Sequence, residues 1–198
     1  MLATVKMMNL DDKIIRKFLI ARLASLSKKP KAVIEELRVH NGNAIADVVA
    51  IHKYAHCYEI KGDTDAVRRI LTQRKYYDLA FRRITLVTTD RHLENALSLA
   101  PGHWGIMVAS ESRGSVAIRY ARRATQNPLY DTRVALLTLW KSELLEVALP
   151  ISPKKLNKLN RAQLTDFIAL NVGQEELCEQ IGHRLADRFN YAEKFLNM

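Results

Sequence analysis

The chain has 198 residues, 48% hydrophobic and 26% charged, which suits one full globular domain, or one domain with a sizeable appendage, and argues against a long disordered linker. Two cysteines cannot build a disulfide framework, the first residues lack the apolar core of a secretory signal, and no stretch approaches a membrane-spanning helix; the expectation is a cytoplasmic protein without a membrane partner. A formal charge of +10, spread over segments 66–83, 112–123 and 152–161 and not confined to one tail, favours a folded nucleic-acid-binding surface through counterion release, against the plainer alternative of a merely soluble basic protein.

In chain order, apolar Ile14, Ile15, Phe18, Leu19, Leu23 and Leu26 recur at helical spacing over 11–27, behind Asp11 and Asp12 at the positive end of the helix dipole. Pro30 closes that helix. Three strand-like runs follow, AVIEELRV, AIADVVAI and HCYEIK, the first two joined by Asn41-Gly42, a two-residue hairpin signal. A helix over 62–81 is expected next, capped by Asp63, Thr64 or Asp65. A strand (RITLVTT), a short helix ending at Pro101-Gly102, and two strands around ESRG complete a mixed α/β sheet. From residue 131 the pattern is helical throughout: 131–149, 152–172 with Ser152-Pro153 at its start, and 174–197. The expected organisation is an α/β core over 1–125 and an all-helical C-terminal extension over 126–198.

Strand register carries the functional argument. A three-residue loop centred on Lys53 pairs 51 with 55 and 49 with 57, which sets Asp47 opposite Glu59, with Ile45, Val49 and Ile51 on the Asp47 face. An Asn41-Gly42 turn pairs 38 with 45 and 36 with 47, which brings in Glu36. Opposed β carbons lie about 4.5–5.5 Å apart, so three carboxylates converge and repel one another. A hard cation relieves that repulsion, and Mg²⁺ takes one or two carboxylates plus waters. Lys61, two residues past Glu59, reaches the same place. This set suits phosphodiester hydrolysis: the metal activates a water, and the ammonium offsets charge on the phosphate. The bland alternative is an exposed strand face whose acids are merely solvated.

On the following helix Ala66, Ile70, Gln73, Tyr77 and Ala80 form one stripe in which Gln73 is the strongly polar member. Packed against the sheet, its amide needs a partner; on the surface it is an ordinary glutamine beside Arg69 and Arg74.

ADVVAIHKYAHCYEIK followed by QRKYY resembles the core of the PD-(D/E)XK nuclease superfamily. Asp47, Glu59 and Lys61 match its Asp and Glu-x-Lys positions, and Gln73 and Tyr77 match its Gln-x-x-x-Tyr. VIEELRVHNGNAIADVVAI, CYEIKGDTDAVRRI and ITLVTTDRHLENAL are similar to a small family of bacterial and phage proteins assigned to that superfamily. The resemblance covers residues 10 to 125, with Ala46 where the superfamily name has proline. It implies a restriction-endonuclease-like fold and a metal-dependent hydrolase that cleaves nucleic acid, DNA in preference to RNA. Asp47, Glu59 and the carbonyl of Ile60 would hold Mg²⁺ or Mn²⁺, Lys61 would position the water and Gln73 would orient the site. Many members carry a further acid on the N-terminal helix; Glu36, or Glu35 if the turn differs, is taken as its substitute here in preference to Asp11 or Asp12. The alternative is a non-catalytic nucleic-acid-binding or protein-interaction module on the same fold.

Arg69, Arg74, Lys75 and Tyr77 beside the site, and Lys154, Lys155 and Lys158 at the start of the penultimate helix, are candidate nucleic-acid contacts. His52, His56 and Cys57 lack the spacing of a zinc site. Trp104 and Trp140 lie in apolar segments and are read as core, not as base-stacking platforms. The sequence leaves the oligomeric state open, a homodimer included.

Overall fold

Runs of Val, Ile and Ala bounded by turn residues build the sheet, and a computed structural model of the chain describes residues 9–112, 114–152 and 156–196. Six strands lie in sequence order: β1 (Ala32–Val39), β2 (Ala44–Ile51), β3 (Ala55–Ile60), β4 (Arg83–Thr89), β5 (Gly105–Ser112) and β6 (Ser115–Arg122). β3, β4 and β5 are parallel and the other pairings antiparallel, so the α/β mixed sheet is as expected. Helix α1 (Asp12–Ala24), capped by the Asp11 carboxylate on the Ile14 amide at 2.8 Å, covers one face of the sheet with Ile15, Leu19 and Leu23 against Val48, Ala50, Tyr58 and Ile60.

The other face is covered by α2 (Ile70–Ala80), α3 (Leu93–Leu99), α4 (Thr132–Leu136), α5 (Lys141–Ala148), α6 (Arg161–Asn171) and α7 (Gln174–Leu196). Leu136, Leu144, Ile168 and Ile181 share one buried cluster with Ile34, Val49 and Trp104, so the C-terminal helices complete the sheet's own core.

Both registers agree with the turn arguments. Asn41 and Gly42 are both left-handed (φ 58° and 90°), as a hairpin turn of this kind requires, and Arg38 pairs with Ile45. Across the Lys53 loop Ile51 pairs with Ala55 and Val49 with Cys57. One local break was not foreseen. Glu36 has φ 54°, and the β1–β2 ladder runs from Glu35↔Val48 to Leu37↔Ala46 without a Glu36–Asp47 pair. Ile34 and Leu37, and likewise Ala46 and Val49, enter the same apolar cluster although they are three apart. The strands thus swap faces at the acids, which leaves Ile45 45% exposed, off the face expected for it.

Several helix expectations need correction. α2 begins at Ile70 after a 3-10 turn over Val67–Arg69, because Asp63 and Asp65 act elsewhere: they accept the Leu10 and Gly62 amides, each at 2.8 Å. The expected helix over 131–149 is two helices, broken at Trp140, whose amide donates to Glu143 at 2.6 Å as α5 starts. The expected helix from 152 begins only at Arg161, where Asn160 caps the Gln163 amide at 2.9 Å and Gln163 returns the bond. Lys154 and Lys155, with Pro153, lie outside the described residues. Trp104 is fully buried as expected, but Trp140 is 60% exposed and is no core residue.

Candidate functional site

The two acids and the lysine meet where β2 and β3 run side by side. Asp47 turns its Oδ2 to the Ile60 amide at 2.7 Å. Glu59 and Lys61 lie on the same side of β3, and Lys61 Nζ donates to Glu59 Oε1 at 2.5 Å. Glu59 is 1% and Lys61 7% exposed, so this is a buried ion pair and not a solvated strand face. Such a pair offsets its desolvation only when its remaining polar atoms are satisfied. Here Glu59 Oε2 is buried without a partner in hydrogen-bond geometry, the nearby Tyr77 hydroxyl being turned to the Ile45 carbonyl.

Asp47 reports the same imbalance. Burial, then repulsion from Glu59, pushes its carboxyl up to about 7, against the opposing pull of the Ile60 amide and Lys61. Burial and the Glu59 charge likewise raise the Tyr77 phenol. Burial, Glu59 and Asp47 raise the Cys57 thiol, which removes it as a thiolate nucleophile. His56, its pKa lowered by burial to about 3, shares a 2.8 Å hydrogen bond with Thr85 and stays neutral.

Gln73 comes from α2, where Ile70, Tyr77 and Ala80 are buried on the expected stripe; Ala66 precedes the helix and is exposed. The Gln73 Oε1 atom is buried without a hydrogen-bond partner. Tyr77 is 0% exposed and its hydroxyl donates to the Ile45 carbonyl at 2.7 Å, so it cannot touch nucleic acid and instead ties α2 to β2. Arg69, Arg74 and Lys75 are exposed on that segment, and Lys158 is exposed on its own.

Glu36 does not converge with Asp47 and Glu59. The left-handed turn of its backbone sends the side chain outward, 71% exposed, to Arg16 at 3.3 Å. Arg16 and Asp12 are what the sequence reading missed. Arg16 Nη2 lies 2.9 Å from Asp12 and 3.5 Å from Asp47, and Nη1 lies 3.6 Å from Glu35. Burial pulls the Arg16 pKa down, but Asp12, Asp47 and Glu35 outweigh it and hold it above its ordinary value. The Asp12 charge also raises the Asp47 pKa, which places the α1 acid at the site where Glu36 was expected. The available signal was the i, i+4 spacing of Asp12 and Arg16.

Among the described residues no group of three or more His, Cys, Asp and Glu side chains is placed to hold a metal ion, and no helix is long and apolar enough to cross a membrane. The oxygen donors present are therefore the two carboxylates, with Ile60 beside them.

The family model of bacteriophage P4 protein cII matches residues 6–197. No curated protein matches the chain. Among solved structures, the SPO1766 protein of unknown function from Silicibacter pomeroyi is similar to it at 14% identity and a TM-score of 0.40, over 65% of this chain and 85% of that one.

Proposed function

For a chain that belongs to the bacteriophage P4 protein cII family, we propose a metal-dependent phosphodiester hydrolase on a restriction-endonuclease-like sheet, acting on nucleic acid and on DNA in preference to RNA. The observation that carries this reading is the unsatisfied acid pair: a buried Glu59 oxygen without a partner beside an Asp47 that burial and Glu59 hold at about 7. A buried carboxylate oxygen without a protein partner calls for a water or an ion.

Mg²⁺ or Mn²⁺ fits this donor set, since two carboxylates plus waters is the usual protein contribution to such a site. Asp47 and Glu59 are the ligands. The Ile60 carbonyl lies on the same edge of its strand as the amide that meets Asp47, and is a third oxygen within the same stretch. When bound, the ion supplies Lewis-acid stabilisation of the phosphate and lowers the pKa of a coordinated water. Lys61 holds a proton donor against Glu59 and positions the attacking water. Gln73 offers a buried acceptor to that water, and Arg69, Arg74 and Lys75 attract the phosphate backbone.

A second reading, a non-catalytic nucleic-acid-binding or protein-interaction module, draws on Arg16, whose guanidinium already bridges Asp12 and Asp47 as an internal counter-ion. Cleavage of plasmid DNA, single-stranded DNA and RNA with Mg²⁺, Mn²⁺ or EDTA separates the two, with wild type beside Asp47→Ala and Lys61→Ala. Metal-dependent cutting lost in both variants supports the hydrolase. Retardation of intact substrates by all three proteins gives the site to the second reading.

A further inference from the structure

Trp140 stands at the N-terminus of α5, 60% exposed, in a chain whose other tryptophan is completely buried. The Arg188 guanidinium lies 4.3 Å above the centroid of its ring and is held there by Glu143 and by the Thr138 carbonyl at 3.2 Å. Arg188 lines the same cavity as the ring it covers, and the ring remains largely exposed. That cavity, of about 400 Å³, lies between the β1 edge of the sheet and the C-terminal helices, with Arg38 and Arg161 in its wall. Neither arginine forms a salt bridge among the described residues. Arg161 is instead bound to neutral oxygens, the Asn41 side chain at 3.4 Å, the Leu139 carbonyl at 2.9 Å and the Leu137 carbonyl, and its Nε is buried without a partner. Its charge is therefore fixed in place and not neutralised.

Each acid of the same wall has an arginine partner, although Glu35 and Glu36 share one and are largely exposed. Glu35 and Glu36 face Arg16, and Glu143 faces Arg188. Glu35 and Glu36 also border a second cavity of about 520 Å³, lined by Asp12, Lys13, Arg16 and Lys17 of α1. The two cavities therefore adjoin along β1, and together they lead from Trp140 to Arg16, which touches Asp47.

We propose that this trough binds an unpaired nucleotide strand, with a base stacked on Trp140 and its phosphates on Arg38 and Arg161, and delivers that strand to the site at Asp47. The proposal rests on the nucleic-acid reading above and gives it a substrate class, single-stranded or locally unpaired. A π-face set inside a groove meets a base only when that base has left its own stack, which duplex bases have not. Aromatic stacking with a basic track is the usual arrangement for strands bound without sequence preference.

The test uses the full wild-type chain in EDTA, so that nothing is cut, with dT12 and a 12-base-pair duplex as probes. The expected result is quenching of the exposed tryptophan's emission by dT12. By anisotropy of labelled probes, Trp140→Ala loses roughly tenfold in dT12 affinity, Trp140→Phe keeps most of it, and duplex affinity is unchanged. Circular dichroism and the emission of buried Trp104 verify that Trp140→Ala is folded. If dT12 binds as well to Trp140→Ala, or duplex binds wild type as tightly as dT12, this proposal falls while the hydrolase reading stands. If neither probe binds, the nucleic-acid reading falls and takes this one with it.

Discussion

Asp47 accepts the amide of Ile60 at 2.7 Å, and this bond sets the acid of β2 against the residue between Glu59 and Lys61. It joins two strands at the point where the β1–β2 ladder breaks. Held this way, and with Arg16 at 3.5 Å, the carboxylate still lies buried next to a second acid, and its proton affinity rises.

The pH dependence of stability follows from that rise. Asp47 titrates near its ordinary value of 3.8 in the unfolded chain and at about 7 in the folded one, so the folded state binds the extra proton between those values. The stabilisation is fully present below 3.8 and is lost as pH rises through about 7, on the order of 4 kcal/mol across the window. Urea melts in EDTA from pH 5 to 8 should show wild type weakening upward and Asp47→Asn flatter. Mn²⁺ affinity, measured by calorimetry, should rise over the same interval. A wild-type profile as flat as that of the variant contradicts this account.

The Glu59–Lys61 pair should behave as a buried unit. Lys61→Met leaves Glu59 buried without its ammonium and should cost about 3–5 kcal/mol. Adding Glu59→Gln should recover most of that loss. Losses that simply add in a double-mutant cycle would show that the two side chains do not interact.

Tyr77→Phe should cost about 1–2 kcal/mol, because the Ile45 carbonyl loses its buried donor. Any cleavage activity should fall by less than it does in Asp47→Ala, since the phenol neighbours Glu59 but holds no metal or phosphate itself. A selective loss of turnover in a protein of wild-type stability would return Tyr77 to the site.

Glu36→Gly should stabilise by up to about 1 kcal/mol, since φ 54° costs a side-chain-bearing residue and costs glycine nothing. The exposed contact to Arg16 that it gives up is worth little. A clear loss in thermal melts would mean that Glu36 matters to the acid cluster after all.

Arg16→Gln should tighten Mn²⁺ binding, because a guanidinium shared by Asp12 and Asp47 competes with any second cation. Calorimetric titration of both proteins at one pH decides it. Unchanged or weaker binding would assign Arg16 to supporting the acids.

What the sequence by itself determined were the features that repeat or that local chemistry enforces. Runs of β-favouring residues marked all six strands, and Asn41-Gly42 and the Lys53 loop set two registers. These succeed because strand period and turn geometry are local, and a one-residue slip would have moved the whole apolar set to solvent. That Asp47 lies by Glu59 and Lys61 came from its bond to the Ile60 amide and not from parity, which broke at Glu36. What only the tertiary structure decided were the non-local choices. Nothing at Glu36 announces a left-handed backbone, so its exit from the acid cluster and the entry of Asp12 and Arg16 from α1 were not legible. The helix breaks at Trp140 and before Arg161 depend on Glu143 and Asn160 competing for backbone amides, and periodicity does not register that competition. Trp140 is as apolar in the sequence as Trp104. Its exposure was settled by which helix end the packed C-terminal bundle left at the surface, a property of the assembled core and of no single segment.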